Sequence, residues 1–288
     1  VKAAYKQFAY FCLMRFVRQL FDFYLDASIH VALAILSLIY VTGLLFHLSL
    51  NEHLTLFIFF ATIASYNFIK YGVEAEKYIL VSNSYHRYIQ FFSFIAAGIA
   101  AYHANSLSFR DWTVLAVLAV LVVLYALPVL PQAGNLRKMG VLKILMVGFV
   151  WGGTTVILPC MAAGRPLTWD VQVEALQRLI LVMILMLPFE VRDMALDDPS
   201  LKTIPQRFGV NTTQFIGVVA SFVFFGLTWL KEQVYPSEWL GKTMVLLLLF
   251  LVMWRTRRRQ SRYFASFWVE AVPMLWLGIV WGAQAIYP

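Results

Sequence analysis

Residues 188–209 read PFEVRDMALDDPSLKTIPQRFG and follow directly on an apolar run from Leu179 to Leu187. Four acidic residues, Glu190, Asp193, Asp197 and Asp198, fall within nine positions of that stretch. Glu190, Asp193 and Asp197 are spaced three and then four apart, so a helix running through them sets their carboxylates on one face within about two turns. Such a face repels itself unless a divalent cation sits against it, and an all-oxygen ligand set suits Mg²⁺ or Ca²⁺ better than zinc. Lys202 and Arg207 come next, among Thr203, Pro205 and Gly209. Carboxylates that hold a metal, backed by cations, are what a diphosphate needs: the metal bridges phosphate oxygens, and Lys or Arg neutralise the rest.

Outward from this stretch the chain reads as an all-α, polytopic membrane protein. Of its 288 residues 61% are hydrophobic and 13% charged. A net charge of +8 would suggest nucleic acid in a soluble chain; here the cations gather beside apolar runs, which points to membrane lipids and to no nucleic-acid partner. Cys12 and Cys160 lie in apolar surroundings without metal-ligand spacing and read as small hydrophobes. Residues 1–25 carry Lys2, Lys6, Arg15 and Arg18 among Phe8, Phe11 and Leu13, the pattern of an amphipathic interfacial helix. Residues 26–288 read as one transmembrane domain.

Nine apolar segments approach the ~20 residues that span a bilayer. They cover residues 27–49, 54–73, 88–104, 112–130, 141–163, 172–189, 214–231, 240–254 and 265–286, the sixth and eighth being short. With nine spans, 18 of the 23 Lys and Arg fall on the side of the N-terminus. That side is expected in the cytoplasm with the motif loops, and the C-terminus on the opposite side. Gly148 with Gly152, and Gly278 with Gly282, have the spacing that lets helices approach closely. Pro188 is expected to bend or open the sixth span one turn before the carboxylates.

Further polar groups cluster at the same side. Tyr66, Asn67, Lys70 and Glu74 close the second span, and Asn67, Lys70 and Glu74 repeat the three-then-four spacing of the acidic set. An i, i+4 pair between Lys70 and Glu74 explains part of this equally well. Arg137, Lys138 and Lys143, before and at the start of the fifth span, are placed to clamp phosphate, although topological anchoring also accounts for Arg137 and Lys138. The run from Arg255 to Arg262 reads as a headgroup anchor. Glu270 is a lone acid well inside a span, where charge is costly, so it is a functional or ion-paired residue by default. Asp26 and His30 stand similarly at the first span. His47, His53, His86 and His103 lack metal-ligand spacing.

Nine spans, an acidic motif of the form ExxDxxxD closing the sixth, and then KTIPQRFG resemble the UbiA-type intramembrane prenyltransferases. The second aspartate motif of that family has the form DxxDxxxD followed by KTLPxxxG. The resemblance implies a helical bundle around a central cavity open sideways to lipid, with Mg²⁺ ions on two acidic motifs binding a prenyl diphosphate. Ionisation then yields an allylic cation that is captured by an aromatic or other membrane-soluble acceptor. Carried over, Asp193 and Asp197 match the second-motif aspartates, Glu190 its leading position, and Asn67 the asparagine opening the first motif. The first motif is altered: Phe68, Lys70 and Glu74 take the places of its aspartates. Lys70 in place of an aspartate changes the local charge by the charge of one Mg²⁺.

The expected site therefore has Lys70 gripping diphosphate and Asp193 and Asp197 holding a single metal, with Glu190 and Glu74 as further ligands. Asn67, Lys143, Arg137, Lys202 and Arg207 would contact the diphosphate. A rival expectation has Lys70 filling the metal site by pairing with an acid, leaving a catalytically silent isoprenoid or lipid binder. Cyclase or diphosphate-cleaving chemistry needs the same phosphate site, and a transporter is the weakest match.

Overall fold

A computed structural model describes residues 2–73, 84–126 and 140–286, with side chains throughout except at 2–13, 72–73, 84 and 200. The described chain is helical. In order, α1 (Lys2–Asp26), α2 (Ile29–Phe46), α3 (Glu52–Asn67), α4 (Ser84–Ala104) and α5 (Phe109–Ala126) are followed by α6 (Val141–Gly152) and the short α7 (Leu158–Ala162). Then come α8 (Trp169–Asp193), α9 (Ile204–Gly226), α10 (Pro236–Arg255) and α11 (Val272–Ile286). Three π turns are inserted: Phe68–Val73 extends α3, Gly153–Ile157 joins α6 to α7, and Phe264–Val269 precedes α11.

Eight of the described helical stretches are long and apolar enough to cross a membrane. The remaining expected span, 88–104, corresponds to α4, a helix of 21 residues that packs along α3 but carries too many polar groups to qualify. The protein is an integral membrane bundle. The two spans expected to be short are longer: α8 has 25 residues and α10 has 20. Their apolar runs look short because Glu174, Arg178, Glu238 and Lys242 lie inside these helices, fully or almost fully buried.

Those four charges belong to one network with Lys231, which itself follows α9. Glu174 pairs with Arg178 at 3.1 Å, Lys231 at 2.8 Å and Lys242 at 2.9 Å, while Glu238 meets Lys231 at 2.5 Å and Lys242 at 2.6 Å. Arg178 also donates to Leu38 O at 3.0 Å and to the Thr155 and Thr42 hydroxyls. The cations at 178, 231 and 242 are thus not membrane-edge charges, as the topological reading had them, but an internal clasp joining α2, α8 and α10. Outside the membrane span, burial disfavours the Lys231 ammonium, yet the Glu174 and Glu238 carboxylates outweigh it and raise its pKa.

The glycines explain how closely α6 approaches α8. A Cβ on Gly148 would lie 3.1 Å from Leu179 O, and one on Gly152 3.3 Å from Ala175 O. Gly278 and Gly282 have nothing within 4 Å, so that pair does not make a helix contact. Pro188 sits inside α8, which neither opens nor ends there but continues to Asp193. Its carbonyl accepts from Gln260 at 2.7 Å.

Candidate active site

Between α3, α5, α6 and α8 lies a cavity of about 710 Å³. Its walls are apolar, and its charged groups are Lys70, Lys143, Asp193 and Glu270. Each is brought there by a local feature of the chain. Lys70 lies in the π turn after α3, Lys143 in the first turn of α6, Asp193 at the last residue of α8, and Glu270 directly after the π turn that leads into α11. π turns carry an extra residue and recur at functional sites. Two here line this cavity, through Ile69 and Lys70 and through Thr154, and the third ends directly before Glu270, which does.

The acidic motif is held by its own sequel. The helix stops at Asp193, and Asp197 follows in a turn whose amide donates to Asp193 O at 2.8 Å. Thr203 starts α9, with its amide bound to Gln206 Oε1 at 3.0 Å, and Gln206 Nε2 reaches back to the carbonyls of Asp197 and Asp198 at 3.3 Å each. The TIPQ stretch is therefore both a helix start and a strap on the acidic loop. Gly140, at positive φ, abuts the same loop: a Cβ there would collide with Leu201 O.

The acids meet cations rather than one another. Lys143 Nζ lies 3.2 Å from Glu190 Oε1, with the Glu190 side chain fully buried. Arg192 grips Asp193 as a fork, Nε to Oδ1 at 2.7 Å and Nη2 to Oδ2 at 2.9 Å. Lys70 Nζ is 3.6 Å from Asp26 Oδ1 and 3.4 Å from the Asp26 carbonyl. Asp26 in turn accepts from Tyr85 at 3.0 Å and lies 3.7 Å from Arg262, while Tyr263 and Arg262 hold Asp22. The end of α1 is tied by these bonds beside the cavity. The Glu270 amide donates to Ala265 O at 3.4 Å, while its carboxylate makes no hydrogen bond or ion pair among the described residues. Trp151 donates to the Tyr66 hydroxyl at 2.8 Å on the cavity wall.

Other expected residues fall elsewhere. Asn67 is buried and faces away from the cavity: it accepts from Ser28 at 2.7 Å and donates to Ala27 O and Ser93, fixing the corner between α1 and α2 against α4. Lys202 and Arg207 are exposed and do not line the cavity. Glu74 and Arg137 lie outside the described residues. Counted from Asn67 along NDxxDxxxD, the aspartate positions are Phe68, Tyr71 and Ala75, so Lys70 and Glu74 each stand one residue short of the places assigned to them. It is nevertheless Lys70 that reaches the cavity, while the Tyr71 hydroxyl bonds the Asp26 carbonyl. His30 uses both ring nitrogens, on Tyr24 and Phe267 O, and His53 pairs with His103 at 3.0 Å far from this site. Arg192 was missed; the signal was an arginine set inside the acidic motif, directly before Asp193.

The acidic side fits one divalent cation better than two. Glu190 Oε2 and Asp197 Oδ2 are buried without a hydrogen-bond partner, and Glu190 Oε1 has only the Lys143 ion pair, which leaves ligand capacity beside Asp193. Mg²⁺ asks for only one or two carboxylates when phosphate oxygens and waters complete its shell. Among the described residues no three Asp, Glu, His or Cys side chains converge as a ready-made cage. Lys70, facing them, supplies charge but no ligand atom.

No family model and no curated protein matches the chain. Solved structures do. A UbiA homologue from Archaeoglobus fulgidus superposes with a TM-score of 0.57 at 14% identity, covering 91% of this chain and 99% of that one. The same homologue bound to GPP and Mg²⁺ gives 0.54 at 12% identity, covering 90% and 99%. A digeranylgeranylglyceryl phosphate synthase gives 0.53 at 13% identity, covering 91% and 96%. The protein has the fold of the UbiA-type membrane prenyltransferases.

Proposed function

We propose that the protein binds a prenyl diphosphate and transfers its prenyl group, with Mg²⁺, to an acceptor dissolved in the membrane. The observation that carries this reading is an apolar cavity with Lys70 and Lys143 among its charged groups and the acidic motif against them. A prenyl chain belongs in the apolar part, and the diphosphate among the cations. Lys70 and Lys143 would neutralise phosphate oxygens, and Arg192 would join them once its fork on Asp193 opens. Glu190, Asp193 and Asp197 would hold the metal, which when bound supplies charge neutralisation of the diphosphate.

In the reaction the C1–O bond breaks with its electron pair leaving on the diphosphate. The acceptor's nucleophilic atom then bonds C1 and gives up its proton. Tyr66, Tyr125 and Trp151 on the wall offer π faces to the allylic cation. The motif side is read as cytoplasmic.

A second reading has specific support. Glu190, Asp193 and Asp26 already carry the cations Lys143, Arg192 and Lys70, which suits a protein that holds an isoprenoid without turning it over. Incubation of purified protein with prenyl diphosphates, with and without Mg²⁺, separates the two by the release of diphosphate. Release that depends on Mg²⁺ and is lost in Asp193→Asn supports transfer. Binding without release from any donor supports the silent reading.

A further inference from the structure

We infer that the cavity is a slot measured for a prenyl chain of about four isoprene units, with the Phe57 and Trp112 rings as its floor. This rests on the prenyl diphosphate reading and adds the donor's length. The lining residues of α3 recur along one face from Phe57 through Ala61 and Ser65 to Lys70. At 1.5 Å per residue that face is about 20 Å long. On α5 the lining runs from Trp112 to Tyr125, a similar distance, so the two walls run side by side.

The two ends differ in kind. Lys70, Lys143, Asp193 and Glu270 mark one end. At the other, Phe57 and Trp112 meet edge to face, with ring centroids 6.0 Å apart and planes at 62°. Trp112 is 45% exposed. Between the ends the lining includes the small side chains Ala61, Ala116 and Ala119, which leave width for a branched chain.

Length follows from covalent geometry. An extended chain gains at most ~3.6 Å over three bonds, hence about 1.2 Å per bond. An isoprene unit contributes four bonds to the chain, about 5 Å, so about 20 Å from the diphosphate to the floor takes about four units. The cavity volume of 710 Å³ lies within the range that buries most of a ligand of this size.

The test uses the full chain in lipid nanodiscs and two ladders of probes, prenyl diphosphates and prenyl alcohols of increasing length, together with inorganic diphosphate. Dissociation constants are measured by titration. The expected result is an optimum at about four units, at least ~10-fold tighter than one unit, as follows from added buried methylenes. Trp112→Ala moves the optimum to longer chains. Ala119→Phe, about 10 Å above the floor, moves it to about two units, and Ala61→Phe, about 6 Å above the floor on the opposite wall, moves it to about three. An affinity independent of length, a wild-type optimum at one unit, or an optimum unmoved by Trp112→Ala and by both phenylalanine variants would overturn the inference. If the alcohols show the optimum and the diphosphate adds no affinity, the slot stands and the diphosphate reading fails.

Discussion

Asp193 is asked to serve two partners, and its substitution tells them apart. As a metal ligand it is needed for turnover, so Asp193→Asn lowers Mg²⁺-dependent diphosphate release by ~10²-fold or more, the scale of losing one charge-stabilising group. If it serves only to restrain Arg192, the freed guanidinium binds inorganic diphosphate more tightly, and titration calorimetry without Mg²⁺ reads that out. Lys143 poses a different question. Its ammonium is the ion-pair partner of a fully buried Glu190 carboxylate, so Lys143→Ala strands a buried charge and lowers stability by about 3 kcal/mol. Glu190→Gln in the same chain recovers most of that loss. Melting curves of the single and double variants in mild detergent check both.

At the level of elements, the glycines of α6 and α11 share a spacing but not a role. Gly148→Val drives a side chain into α8 and costs about 1–3 kcal/mol, whereas Gly278→Val has nothing within 4 Å to meet and changes the melting temperature little. The clasp on α8 is more demanding. Glu174 neutralises three cations, so Glu174→Gln leaves them buried together and costs about 3–5 kcal/mol, with the bundle melting far below the wild type. What was legible in the sequence follows from the same physics. Apolar runs mark spans because lipid tolerates little else, and the acidic motif shows because its spacing lies within one helix end. The clasp was hidden: Glu174, Arg178, Lys231, Glu238 and Lys242 look like loop and edge charges until α8 and α10 are laid side by side. The Asp26 to Lys70 and Lys143 to Glu190 pairs each join residues more than forty apart in the chain, and no local pattern announces them. Asn67 was legible as a motif position, yet its hydrogen bonds hold a helix corner.

For the whole molecule, α8 connects two charged ends. Glu174 belongs to the clasp and Asp193 to the cavity, and the helix between them covers about 28 Å, close to the thickness of a bilayer core. The two clusters therefore lie toward opposite ends of the span. In a chain with Cys12 and Cys160 replaced, a cysteine at Arg258 is expected to react with an impermeant reagent only from the cytoplasmic side, and one at Asn105 only from the other. Labelling of both from one side would refute the arrangement. The three π turns bear on how such a site is encoded. Each is, in effect, a helix holding one residue too many, so part of the site is written as length rather than as identity. Removing one residue from 264–269 would leave a continuous helix with almost unchanged composition, yet turn Glu270 by about 100° away from its present direction. A comparison of related chains that counts only substitutions would miss that loss, whereas one that counts single-residue gaps would find it.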